Sequence, residues 1–261
     1  MKSHLSELIS YRELIYMITW REIRIKYKQS VMGFLWAVFM PIIIVSAGVL
    51  VKYAFSLLSG KTFTFTEIAT VSVKAIPWSF FVASIRFSTG CLIANTNLVT
   101  KIAFPKEIFP LASVLSQLLD FVVASAILVV ILAVARIGIS LHILWVPLLL
   151  LILIVFTMGL GLMFSAASLF FRDVKYLVEV ILTFAIFFTP VFYEANIFGE
   201  WGRILMLNPV APILEGINAC VVYHSTPDLY WILYSGLVST ALLLVSFVLF
   251  KKLEPSFAES I

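Results

Sequence analysis

REIRIKYKQSVMGFLWAVFMP, residues Arg21 to Pro41, decides the fold class. A basic amphipathic segment runs, without a linker, through Ser30, Gly33 and Trp36 into a long apolar helix with Pro41 in its first turns. This layout suits a helix that lies on the cytoplasmic face of a membrane, then turns and enters the bilayer. Just upstream, Tyr11, Leu14, Ile15, Ile18 and Ile25 fall on one stripe at helical spacing, and Arg12, Arg21, Arg24 and Lys28 lie off it. Glu22 interrupts the stripe, with Lys26 placed at i+4 to pair with it.

Composition agrees with that reading. Of the 261 residues, 62% are hydrophobic and 12% charged, and the mean hydropathy is +1.10. A soluble domain carries roughly twice that charged fraction. The chain therefore reads as a polytopic membrane protein with little left over for a soluble domain. The first thirty residues are charged throughout and hold no apolar core, so no cleavable signal is expected. The net charge of +4 reports membrane orientation rather than nucleic-acid binding. Cys91 and Cys220 have no Cys or His neighbours at metal-ligand spacing. On the topology below they sit toward opposite faces of the membrane, so no disulfide between them is expected.

A spanning helix needs about 20 mostly apolar residues. Six runs qualify: 34–57, 71–96, 108–135, 143–170, 174–193 and 229–250. Orientation follows from the basic residues. With both termini cytoplasmic, twelve of the eighteen Lys and Arg fall on the inner side: six before Gln29, then Lys101 and Lys106, Arg172 and Lys175, and Lys251 and Lys252. The expected layout is a single transmembrane domain over 1–261. Residues 1–30 form the interface helix, 31–193 the first five spans, 194–228 an outer segment, and 229–261 the last span and tail.

The outer segment is cut by Pro209 and Pro212 and by Glu194, Glu200, Glu215 and Asn218. Its apolar runs are too short to cross and suit re-entrant or interfacial helices, one on each side of Asn208-Pro209.

Few residues offer chemistry. Ser59-Gly60-Lys61-Thr62 looks like the end of a phosphate-binding loop, but the glycine required five positions before Gly60 is replaced by Phe55. His4, His142 and His224 are scattered, without metal or acid/base spacing. No cofactor or metal site is expected in this chain. Charges inside the spans carry more information, because charge in hydrocarbon is costly. Arg86 and Asp120 lie roughly 16 and 20 Å from the inner ends of their spans at 1.5 Å per residue, close enough in depth to pair. Such a pair is either a structural tie between helices or part of a polar path. Lys74 and Glu179, nearer the span ends, are expected to reach the interface. The chain is 15% aromatic, with Phe184, Phe187, Phe188, Phe192 and Tyr193 clustered together. These rings suit either sugar stacking or lipid-facing packing. Gly159, Gly161, Ser165 and Ala166 allow close helix approach.

Three segments, in order, resemble the polysaccharide-export permeases, the membrane subunits of type-2 ABC exporters. The first is Arg21-Glu22 through Tyr27-Lys28, Ser30, Gly33, Trp36 and Pro41. The second is Asn97-Leu98-Val99, Lys101, Phe104-Pro105-Lys106-Glu107-Ile108 and Pro110. The third is Phe171-Arg172-Asp173-Val174-Lys175, followed by Thr189-Pro190-Val191-Phe192-Tyr193 and then Leu207-Asn208-Pro209 with Glu215-Gly216.

That resemblance implies an all-α fold of six spans with an N-terminal interface helix and short outer gate helices. It implies a homodimer of this chain over two copies of a separate ABC ATPase, which binds the ATP and Mg²⁺. The expected ATPase-coupling residues are Lys101, Phe104, Pro105, Lys106, Glu107, Arg172 and Asp173. The expected substrate is a glycan on a polyprenyl diphosphate, such as an O-antigen, capsular polymer or teichoic acid, crossing the bacterial cytoplasmic membrane. Its headgroup would meet Arg21, Arg24, Lys26, Lys28 and Trp36, although the same basic residues also serve positive-inside topology and anionic-lipid contact. The outer gate would comprise Tyr193, Asn208, Pro209, Pro212 and Glu215. The nearest rival is a type-2 permease for a drug or small lipid. An ion-coupled secondary transporter would show internal repeats, and a membrane enzyme would show clustered acidic or His residues at one face; the sequence shows neither.

Overall fold

The structure, a computed structural model, describes residues 10–28, 35–60, 62–102 and 104–257. Ser30, Gly33 and Lys61, and residues 1–9 of the expected interface segment, lie outside them. Among the described residues all regular structure is helical. The interface segment forms α1 (Arg12–Lys28). Five further helices are long and apolar enough to cross a membrane: α2 (Leu35–Ser59), α3 (Phe65–Ala94), α5 (Ile108–Val134), α6 (Val146–Phe170) and α10 (Leu229–Leu253). The short helices are α4 (Thr96–Lys101), α7 (Val174–Ala185), α8 (Glu200–Leu205) and α9 (Val210–Val221). This is an all-α, multi-pass membrane protein.

α3 is the axis of the bundle: α2, α5, α6, α7 and α9 all pack against it. α10 lies along α6, and Gly159 is what lets it in. A Cβ at Gly159 would stand 3.0 Å from the backbone nitrogen of Leu243, so the two backbones meet there, as small residues permit in lipid. One core cluster joins Ile76, Trp78, Leu149, Leu153 and Ile213; a second joins Ile18, Leu92, Phe109, Leu162, Phe250 and Phe257. Because the second cluster holds both Ile18 and Phe257, the two described chain ends lie at the same end of the bundle.

Three features depart from the sequence reading. The run 174–193 is helical only through Ala185. At 1.5 Å per residue its 12 residues reach about 18 Å, short of a ~30 Å hydrocarbon core. Phe187 and Phe188 bond back three residues, to Phe184 and Ala185 at 3.0 and 3.1 Å. Pro190 then has no N–H to offer and disfavours helix at the residue before it.

α3 begins at Phe65 rather than near 71, because Glu67 sits in its first turn, where a carboxylate suits the helix dipole. In α1 the stripe holds for Tyr11, Leu14, Ile15 and Ile18, which join the second core cluster. Ile25 is exposed. The helix beyond Ile18 turns toward the polar side of α5, where Ile25 has nothing apolar to cover.

Candidate functional site

A cavity of about 540 Å³ opens where α1, α2, α3, α5 and α7 meet. Aromatic rings from Trp36, Trp78, Phe80, Phe87 and Phe121 line it, together with Lys26, Arg86, Gln117 and Asp120. α1 holds its place through polar contacts with α5. Lys26 forms an ion pair with Asp120, donates to Gln117 Oε1 at 2.9 Å and lies 5.0 Å over the Phe87 ring. The Tyr27 hydroxyl donates to Asp120; burial and that carboxylate hold the phenol well above its usual range. Ser113 donates to Glu22 at 3.1 Å. Burial raises the Glu22 carboxyl, with the Ser113 and Ser116 hydroxyls opposing it.

These contacts correct two expected pairs. Glu22 and Lys26 do not serve each other; both turn from the surface toward α5. Arg86 and Asp120 both line the cavity, yet each takes another partner. Asp120 is engaged by Lys26 and Tyr27, while Arg86 Nε lies 3.4 Å from Glu179 Oε1 on α7. The expectation missed because it compared depth along α3 and α5 alone and left out the cations that α1 brings in. Of the expected headgroup residues, Lys26 and Trp36 reach the cavity wall. Arg21 donates to Asn95 instead, Arg24 stacks 5.5 Å from the Trp20 ring, and Lys28 is exposed.

At the opposite end of α3 lies a second polar cluster. The sequence reading sent Lys74 to the interface, but the earlier start of α3 puts it more than two turns inside the helix, and its side chain is 0% exposed. Its ammonium donates to the Tyr193 carbonyl and lies 3.5 Å from Glu215, which also accepts from the Ala195 N–H at 3.1 Å. Beside it, Glu194 accepts from the Tyr223 hydroxyl at 2.7 Å and faces Lys52 at 3.7 Å. Burial raises the Glu194 carboxyl, but Tyr223 and the two lysines outweigh it and hold it below its usual range. Burial and Glu194 push the Tyr223 phenol up to about 12.

Asn208 donates to Thr189 Oγ1 at 2.8 Å and accepts from the Val210 N–H at 3.1 Å, while Tyr193 donates to the Phe187 carbonyl at 2.7 Å. Thus Tyr193 and Glu215 join residues 189–215 to α3 through Lys74, while Asn208 ties Thr189 to the start of α9 within that segment. Pro209 is the N-cap of α9, and Pro212 sits buried in its first turn. The signal for Lys74 was visible as a lone cation in an apolar run; its partners, far along the chain, were not.

The loop 101–107 also differs from expectation. Lys106 and Glu107 are only 8% and 1% exposed. Glu107 pairs with Lys251 at 2.8 Å, and the Lys106 N–H donates to Glu254 at 2.8 Å. Burial raises the Glu107 carboxyl and lowers the Lys106 ammonium. Lys106 and Glu107 therefore fasten this stretch to the end of α10 rather than offering a surface; Pro105 is buried beside them, and Phe104 packs on Phe109 at 5.5 Å. Thr100, Lys101, Ile102, Phe171, Arg172 and Asp173 are among the residues exposed at this end.

Residues 13–222 match the family described as ABC-2 type transporter. O-antigen export system permease protein RfbA of Myxococcus xanthus is 29% identical over 258 residues, 98% of this chain and 98% of that protein. A protein of the same name from Klebsiella pneumoniae is 28% identical over 258 residues, 95% of this chain and 94% of its own length. With the matched residues running from α1 to the end of α9, the chain belongs to the ABC-2 type transporter family, whose members are permease subunits working with an ABC ATPase.

Proposed function

We propose that this chain is the transmembrane subunit of an exporter for a polyprenyl-diphosphate-linked polysaccharide, such as an O-antigen, capsular polymer or teichoic acid. Two copies form the path across the bacterial cytoplasmic membrane, and two copies of a separate ATPase drive it. The end of the bundle carrying α1 and Phe257 faces the cytoplasm. The observation that carries this reading is the end-to-end similarity to two permeases named for O-antigen export.

The cavity supplies fitting chemistry. A polar polymer cannot shed its water partners into lipid, and its carrier presents a diphosphate on an apolar chain. Lys26 and Arg86 offer charge to the first, and the cavity's rings offer a surface to the second. Lys101, Ile102, Phe171, Arg172 and Asp173 form the surface that docks on the ATPase. Residues 194–228 act as the outer lid, held shut by the Lys74 cluster.

The test is removal of this chain from cells that otherwise assemble the polymer. The polymer should accumulate on its lipid carrier inside the cell and disappear from the surface. Normal surface polymer, with altered drug susceptibility instead, would assign the chain to the rival class of cargo.

A further inference from the structure

Arg86 and Glu179 face each other from α3 and α7 beside the cavity. Their contact is unlike the others at this end of the bundle. Lys26 and Asp120 are each about one-quarter exposed and share Gln117 and Tyr27 as additional partners. Arg86 and Glu179 are each 46% exposed, with Arg86 Nε 3.4 Å from Glu179 Oε1 and no hydrogen bond between them. That separation exceeds the roughly 2.7–2.9 Å of a charge-assisted hydrogen bond. Among the described residues Arg86 has no other polar partner, so the outer fork of its guanidinium is uncommitted. An ion pair this exposed contributes little to folding. Arg86 itself lines the cavity, and so do Leu182 and Thr183, the next turn of Glu179's own helix.

We propose that Arg86 is the cavity's anion-binding residue and that Glu179 is a resident counter-ion which the diphosphate displaces. This rests on the reading of the cavity as the site for the lipid carrier's headgroup. A planar guanidinium matches two phosphate oxygens at once. The Glu179 carboxylate, 3.4 Å from Nε and not hydrogen-bonded to it, leaves that capacity largely open. A diphosphate brings more charge and more acceptor oxygens, and so takes the fork. Glu179, already half exposed, returns to water. The exchange also removes the ion pair between α7 and α3. α7 leads within eight residues to Tyr193, whose carbonyl Lys74 holds.

The experiment uses the full chain in lipid nanodiscs, titrated with geranylgeranyl diphosphate and, separately, with the uncharged geranylgeraniol. Trp36 and Trp78 line the cavity and report occupancy by fluorescence. Arg86→Gln should weaken diphosphate binding by about tenfold or more, the loss of a charged hydrogen-bond partner, and Arg86→Lys should restore part of it. Glu179→Gln and Glu179→Ala should both tighten binding, by about two- to fivefold, as removal of a half-exposed competitor predicts. Geranylgeraniol binding should not change among the variants. Diphosphate binding that is unchanged or weakened in both Glu179 variants, while Arg86→Gln still weakens it, would overturn the counter-ion role and leave the headgroup site standing. A wild-type chain that binds the alcohol as tightly as the diphosphate would overturn the headgroup site itself.

Discussion

Lys74 shows how one residue sets the character of a site. An ammonium with no solvent exposure is tolerated only when its charge is met, and here Glu215 and the Tyr193 carbonyl meet it. Removing one partner strands the other. Lys74→Met should therefore lower stability by about 3–5 kcal/mol, seen as a reduced thermal unfolding midpoint in detergent. The double change Lys74→Met with Glu215→Gln should cost less than the sum of the singles, since neither charge is then left alone. Additivity of the two would show that they do not interact. The loop residues sort the same way. Glu107→Lys places a cation against Lys251 and should destabilise the chain itself. Lys101→Glu, on the exposed surface, should leave the stability within about 0.5 kcal/mol of wild type yet weaken co-purification of the ATPase. If Glu107→Lys is as stable as wild type, the tie to α10 carries nothing.

Among the elements, α7 and the segment after it hold the most consequence. Thr189 and Asn208 join side chain to side chain at 2.8 Å, and α2 is close by: a Cβ added at Gly48 would come within 2.4 Å of the Phe192 ring. If residues 194–228 move during transport, tying Thr189→Cys to Asn208→Cys by oxidation should stop polymer export, and reduction should restore it. Export at the normal rate in the oxidised form would mean that the segment is no moving lid. Gly48→Val should push Phe192 out of its seat and disturb the same segment, read as faster proteolysis near Glu200. Four of the long helices were legible as apolar runs, their starts and ends falling within about three residues of the expected ones, because length and hydropathy alone mark them. The end of α7 was not legible. Its turn is apolar in composition, and what satisfies its backbone, Tyr193 on Phe187 and Thr189 on Ala185, is tertiary detail that periodicity does not carry. The stripe in α1 was legible as far as Ile18. Beyond it, polar partners from α5 decided the packing, and no spacing rule within α1 could name them.

For the molecule as a whole, the described chain ends share one end of the bundle, and twelve of the eighteen basic residues were assigned to that side by sequence. With this end cytoplasmic, single cysteines at the exposed positions Lys101 and Glu200 should react with an impermeant thiol reagent from opposite sides of the membrane. Reaction of both from outside intact cells would reverse this account of orientation. The candidate site was half visible at this scale. Lys26, Trp36, Arg86 and Asp120 were each singled out from sequence, but that they border a single cavity depends on α1 docking against α5, which no linear reading supplies. The most direct measurement is transport itself. The chain and its ATPase, co-reconstituted in proteoliposomes, are given a polyprenyl-diphosphate-linked glycan on the ATPase-bearing face, and the far face is probed with a membrane-impermeant glycosidase. The account predicts ATP-dependent cleavage of the glycan by the far-face glycosidase, abolished when this chain is omitted and reduced in Arg86→Gln. Equal movement of glycan without this chain or without ATP would contradict it.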